Sequence, residues 1–226
     1  MHESSNNAFR LATLVLAAVL GMQSLWLLLT ELSRPGIDHL PINAQAAADA
    51  TKQRNDAVWT AWIGAIRGDL WAESAFTSAD LLWGNPDADQ AKTALERTFA
   101  ELDRALGYAP HRAEAWLLLA GLEQRYRSAK SNPAEALKMS YYTGPSEPAL
   151  MPLRLLVAAR LDALDDTEIQ RFIRREMHLL LAQGLTSAVA ESYAGASPTG
   201  RRFIEQAIDE LDPAYRGLLR AGSQKP

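Results

Sequence analysis

The side chains able to do chemistry are few and scattered. Four histidines, His2, His39, His111 and His178, lie far apart and share no ligand spacing. His2-Glu3 opens like a zinc-protease signature, but the second histidine is missing at its offset. One helical face therefore cannot present two imidazoles to a metal. The chain contains no cysteine, which removes disulfides and thiolate metal sites. Asp165 and Asp166, followed by Glu168, have the types of an acid/base pair. Their place ahead of a helical run fits N-capping better, because carboxylates there satisfy free amides and complement the helix dipole. His178, within "IRREMHLLLA", reads as a structural residue of a helix face. No serine sits in a nucleophile elbow and no glycine-rich phosphate loop is present. Arg67-Gly68-Asp69 spells an adhesion tripeptide, but it falls in a hairpin turn, and matches this short arise by accident. The expectation is a non-enzymatic protein with no metal and no small-molecule cofactor.

Aromatic and charged residues carry the remaining binding chemistry. Of six tryptophans, Trp59, Trp62, Trp71, Trp83 and Trp116 follow the first apolar run. Exposed rings of this kind can stack on sugars. Trp59 and Trp62 stand at helical spacing, however, and read as packed between helices. The net charge is −4, and the pairs Arg174-Arg175 and Arg201-Arg202 are read as solvated faces among acids. Nucleic acid is not an expected partner, since it requires a basic footprint.

The elements carrying these residues start with an uncharged run, Leu11–Thr30, bounded by Arg10 and Glu31. Twenty residues of helix span about 30 Å, the hydrocarbon thickness of a bilayer, and Trp26 near one end suits an interfacial anchor. A cleaved leader would have a shorter core ending near its cleavage site, whereas Ala44-Gln45-Ala46 begins 14 residues beyond Thr30. The run is read as an uncleaved signal-anchor in the lipid bilayer. Flanking charge nearly balances, with Arg10 and Glu3 on one side and Arg34, Glu31 and Asp38 on the other. The short head is expected to stay in the cytoplasm, leaving the remainder outside. Thr13, Ala17, Gly21 and Ser24 form a small-residue stripe, with Gln23 beside it, that would suit a partner helix.

Beyond the anchor, Pro35, Gly36 and Pro41 indicate an extended spacer over 33–45. From Ala44 onward helical periodicity dominates, without strand alternation or a hairpin dipeptide. Asn85-Pro86, Asn132-Pro133, Ser197-Pro198 and Asp212-Pro213 each place a capping side chain before proline. Gly84, Gly107, Gly144 and Gly184 mark ends. The predicted helices cover 44–67, 69–83, 86–106, 112–128, 133–143, 148–163, 166–183, 186–194 and 198–211, with a turn at 213–220. Short connections imply antiparallel αα-hairpins.

Within "ALGYAPHRAEAWLLLAGLEQRY", Ala105 precedes Pro110 by five, Trp116 follows that proline by six, and Leu119 and Ala120 sit one turn later. This segment resembles a tetratricopeptide repeat, in which paired antiparallel helices stack on further copies. The resemblance spans about residues 91–148. It departs at Ala136, four residues late, at Thr143 in place of alanine, and at Glu123 in place of tyrosine. It implies that Trp116 wedges between hairpins and that Glu114, Leu117, Gly121, Gln124 and Arg125 line a protein-binding groove. A second segment, "ALKMSYYTGPSEPALMPLRLLVAARL", is similar to part of small membrane-anchored repeat-like proteins of Alphaproteobacteria, some of which accompany surface-polysaccharide assembly. The combined expectation is an all-α chain. It has a head and transmembrane helix over 1–32, a linker over 33–45, a hairpin array over 46–220 and a tail over 221–226. It would lie in a bacterial inner membrane with its helical part in the periplasm, serving as a scaffold for other envelope proteins or as a polysaccharide-assembly accessory.

Overall fold

The computed structural model describes residues 2–34, 44–80, 82, 88–126, 132–162, 164 and 166–217. Pro35, Gly36, His39, Pro41, Trp83, Gly84, the Asn85-Pro86 start, Asp165 and the 221–226 tail lie outside the described residues. Those described are all-α, without a strand. The helices are α1 (His2–Leu32), α2 (Ala44–Gly64), α3 (Gly68–Asp80), α4 (Ala88–Tyr108), α5 (Ala113–Tyr126) and α6 (Pro133–Thr143). They continue with α7 (Met151–Ala159), α8 (Thr167–Ala182), α9 (Thr186–Ala194) and α10 (Pro198–Leu211), then a 3-10 turn at Pro213–Tyr215. The chain divides into two compact units, Met1–Tyr108 and Ala109–Pro226, so the first includes the N-terminal helix.

Capping chemistry sets the starts. Asn132 accepts from the amide of Glu135, Ser197 from that of Gly200, and Asp212 from that of Ala214. Asp166 accepts from the amides of Glu168 and Ile169, as its position suggested. Each satisfies a first-turn donor that has no partner inside the helix. Gly184, with φ of +75°, closes α8 in the left-handed conformation open to glycine.

In the first unit, Phe9–Leu32 of α1 is long and apolar enough to cross a membrane, with mean hydropathy 2.0 over its most apolar window. Its outward side chains from Phe9 to Leu29 are left uncovered by the chain. α3 is the opposite case, since every residue from Leu70 to Asp80 is inside or half inside the unit. It packs against α2 on one side and α4 on the other. Gly64, the last residue of α2, lies close against the next helix: a Cβ there would stand 2.4 Å from Leu70 Cδ1. The next residue, Ala65, takes a φ of +45°, a left-handed conformation costing about 1 kcal/mol for a non-glycine residue. Its carbonyl accepts the indole N–H of Trp71 at 2.9 Å, which holds the corner closed.

In the second unit, α5 and α6 form a hairpin, and α7 is the element the later helices pack around. Leu155 and Ala158 of α7 meet a core built from Ile169, Ile173 and Met177 of α8 with Ile204 and Ile208 of α10, all essentially inaccessible. The spacing of those α8 and α10 residues is the i, i+4 stripe of an amphipathic helix.

An internal repeat links the two hairpins α3/α4 and α5/α6. Arg67, Asp69, Trp71 and Ala75 recur as Arg112, Glu114, Trp116 and Ala120, each 45 residues on. The helix starts obey the same offset, Gly68 against Ala113 and Ala88 against Pro133. Function is repeated as well as spelling. Arg67 pairs with Asp69 and Arg112 with Glu114. Trp71 donates to the carbonyl of Ala65 at 2.9 Å, and Trp116 to that of Pro110 at 2.7 Å, six residues back in both cases. The late position of Ala136 is thus a property of the period, because Trp71 and Ala91 keep the same separation as Trp116 and Ala136.

Candidate functional site

The face of α5 expected to line a groove is engaged within its own unit. Leu117 is 2 % exposed and belongs to the core. At Gly121 a Cβ would meet Val157 Cγ2 at 3.6 Å, so α7 crosses α5 where the helix has no side chain. Gln124 Nε2 donates to the carbonyl of Arg160 at 3.3 Å. Glu114 is held by Arg112, and Arg125 is exposed with its guanidinium over the Tyr126 ring. Four of the five residues therefore serve packing or local pairing. The physical reason is the glycine, which admits a neighbouring helix as readily as a ligand. Trp116 is half-buried, its N–H committed to Pro110.

Chemistry-bearing acids are likewise committed to structure. Asp166 lies 2.5 Å from Lys138 Nζ, and Glu168 accepts from Tyr142 at 2.7 Å. The Lys138 ammonium, with the two capping amides, holds the Asp166 carboxyl below its ordinary value, the reverse of what a general acid needs. His111 and His178 are exposed. Among the described residues no group of three or more His, Asp or Glu could hold a metal ion.

The most developed polar constellation is buried and was not anticipated. Arg154 of α7 is 0 % exposed. It donates from Nε to Ser140 Oγ at 3.0 Å, from Nη2 to the carbonyls of Ser140 (2.6 Å) and Gly144 (2.8 Å), and from Nη1 to Glu176 at 3.2 Å. Ser140 Oγ in turn donates to the carbonyl of Ala113, and Tyr141 donates to the other oxygen of Glu176, both at 2.8 Å. Four helices are joined, from the first turn of α5 through α6 and α7 to α8. Burial pushes the Glu176 carboxyl up to about 7, against the opposing pull of Arg154 and the Tyr141 hydroxyl. An arginine between Leu153 and Leu155 in an apolar run was the available signal.

The surface feature that stands out is the corner where α1 meets α2 and α3. Trp26 Nε1 donates to the carbonyl of Ile63 at 2.8 Å, and Thr60 Oγ1 to that of Ser33 at 2.7 Å. Arg67 Nη1 reaches Thr30 Oγ1 and Glu31, each at 3.0 Å, and Arg34 Nε bonds the buried Glu73 at 2.7 Å. Beside this join, Trp59, Trp62, Ile63 and Ile66 are 69, 61, 43 and 65 % exposed. The expectation that Trp59 and Trp62 pack between helices therefore fails. Trp62 meets Trp71 edge-on at 5.9 Å, under the Arg104 guanidinium, and leaves its remaining surface open. Helical spacing reports that residues share a face. It does not report which way that face points.

Among the described residues the small-residue stripe of α1 is exposed along its length. Thr13 and Ser24 bond the carbonyls of Phe9 and Leu20 in their own helix, and Ala17, Gly21 and Gln23 are exposed. No family model, curated protein or solved structure matches the chain.

Proposed function

We propose that the chain is a non-enzymatic scaffold, anchored in a bacterial inner membrane by α1, that presents its helical hairpins to other envelope proteins from the periplasmic side. The observation that carries this reading is the join at the membrane-proximal corner. A disposable leader has no use for specific bonds to the domain behind it, whereas Trp26 and Arg34 are bonded to α2 and α3, and Thr30 and Glu31 to Arg67 in the turn between them. A span fixed to its domain holds that domain at a set height and orientation, which is what an assembly platform requires. The recurring Arg-x-acid-x-Trp hairpins fit the tetratricopeptide-like reading. Since α7 occupies the expected groove of α5, the partner surface belongs on the outward faces of the helices. A second reading, an accessory of surface-polysaccharide assembly, is favoured by the exposure of Trp59 and Trp62, because open indole faces stack on sugar rings.

Photo-reactive residues at His178 and Arg202, exposed on α8 and α10, test the first reading in intact cells. Cross-links to a defined envelope protein, lost when residues 1–34 are removed, are the expected result. Cross-links to no protein from either position, or turnover of a small molecule by the purified chain, would overturn it. Retention on surface polysaccharide that Trp59→Ser with Trp62→Ser abolishes would favour the second reading.

A further inference from the structure

The corner residues raise the question of what covers them. Trp59, Trp62, Ile63 and Ile66 follow the i, i+3, i+4, i+7 spacing of a single apolar stripe, although α2 itself ends at Gly64. The stripe stops one turn earlier at Asn55 and Asp56, which are exposed and polar. Its height along α1 is fixed by the bonds of the join. Thr60 meets Ser33, Ile63 meets Trp26, and Arg67 returns to Thr30. Within the first unit, α2 therefore descends antiparallel to the end of α1, and the chain rises again into α3. The lowest point is the Trp62–Ile66 segment.

That depth can be placed on the bilayer. Trp26 lies four residues inside Thr30, the end of the uncharged run, hence about 6 Å into the apolar span. Amphipathic elements that lie on membranes bury their apolar face about 5–10 Å into the headgroup and acyl boundary, so the corner sits at the matching level. Tryptophan suits this layer because its ring is apolar and its N–H polar. The charged groups stand at the end of the span nearer water, where Arg34 and Arg67 pair with Glu31. A soluble protein could not reach side chains at the depth of Trp26 without displacing lipid.

We propose that the α2–α3 corner is a second membrane contact, in which Trp59, Trp62, Ile63 and Ile66 insert into the interfacial layer of the leaflet from which α1 emerges. The occupant is the phospholipid bilayer itself, held by apolar burial. The inference rests on the reading of α1 as a membrane span. Its consequence is that the first unit is seated on the membrane at two points and cannot swing freely about the anchor.

The absence of cysteine allows a clean test on the full chain. Single cysteines at Trp59→Cys, Ile66→Cys, Leu20→Cys and Asp103→Cys would carry an environment-sensitive fluorophore. The protein would be reconstituted in phosphatidylcholine vesicles, with and without brominated acyl chains. Leu20 reports the span and Asp103, exposed on α4, reports water. Fluorophores at 59 and 66 are expected to be quenched by brominated lipid and to be at least about fivefold less quenched by aqueous iodide than that at 103. Lipid quenching at 20 with unhindered iodide quenching at 59 and 66 would overturn the corner contact and leave the anchor standing. No lipid quenching at 20 would overturn both. Shielding of 59 and 66 that appears only on adding polysaccharide would overturn the lipid contact in favour of a sugar platform.

Discussion

Arg154 is buried without access to water, and its guanidinium makes four hydrogen bonds to groups on α6, its C-cap and α8. Removing it strands the carbonyl of Gly144, takes one of two donors from that of Ser140, and leaves the Glu176 carboxyl without its cation. Arg154→Ala is therefore expected to cost about 3–5 kcal/mol above the Glu176 value of about 7, where that carboxyl is ionised, the range for breaking one side of a buried ion pair, read by denaturant unfolding of the detergent-solubilised chain. Glu176 adds a pH dependence with a definite sign. Its folded carboxyl keeps its proton up to about 7, against an ordinary value of 4.5. Between those values the folded state binds more protons than the unfolded state, so the contribution of this group falls as pH rises through the window, by up to about 3 kcal/mol. Glu176→Gln cannot titrate, and its stability should change less than that of the wild type from pH 4.5 to pH 7. The comparison has to be between variant and wild type, because burial also pushes Asp80 up to about 7 with the same sign. The network itself was beyond sequence reasoning. A polar residue in an apolar run announces a buried partner, but the partner lies 22 residues away on another helix, and only packing brings the two together.

At the scale of the element, starts were legible because the chemistry that sets them is local. An Asn, Ser or Asp before proline satisfies amides two or three residues on, and Asn132, Ser197 and Asp212 do so. The 45-residue recurrence is faint in the sequence, since its four matching residues are diluted among unrelated ones. It makes a paired prediction. Trp71→Phe and Trp116→Phe both delete an indole N–H that bonds a carbonyl six residues back. Trp71 is 4 % exposed, so the smaller ring leaves a gap in the unit as well as a lost bond, and the loss should be about 1–3 kcal/mol. Trp116 is more open, water can replace the donor, and the loss should be nearer 1 kcal/mol. Equal effects in melting experiments would mean that burial does not set the difference between the two tryptophans. Gly200 tests packing instead of bonding. A Cβ there would stand 1.9 Å from the carbonyl oxygen of Ala159, a backbone atom that also accepts from the amide of Ser197. Gly200→Ala is expected to cost about 3 kcal/mol, at the upper end for overpacking, because α10 must back away from α7 to admit it.

At the scale of the whole molecule, the all-α class and the apolar N-terminal helix were both legible, because 3.6-residue periodicity and an uncharged run of 20 residues are properties of the chain alone. The groove was not, because a row of small and polar residues on α5 says nothing about whether another helix, here α7, lies upon it. The join of α1 to its domain was equally invisible, being made of single bonds across 27 to 39 positions. It leads to a prediction that separates a fitted anchor from a tether. The full chain should stay in the membrane pellet through high salt and alkaline carbonate, as any uncleaved span would. Recovery of a soluble form beginning near residue 47 would instead establish cleavage. A chain starting at residue 35 goes further, since it lacks Trp26, Thr30, Glu31 and Arg34. The carbonyl of Ile63 then loses its donor, and Glu73, 1 % exposed inside the first unit, loses Arg34. A buried carboxylate deprived of its cation costs about 3 kcal/mol, which lowers hydrogen-exchange protection by about a hundredfold. The amides of α3 should therefore exchange about that much faster in the shortened chain than in the intact one. If their protection is unchanged, α1 only tethers the domain, and the bonds at the corner do not fix its seat on the membrane.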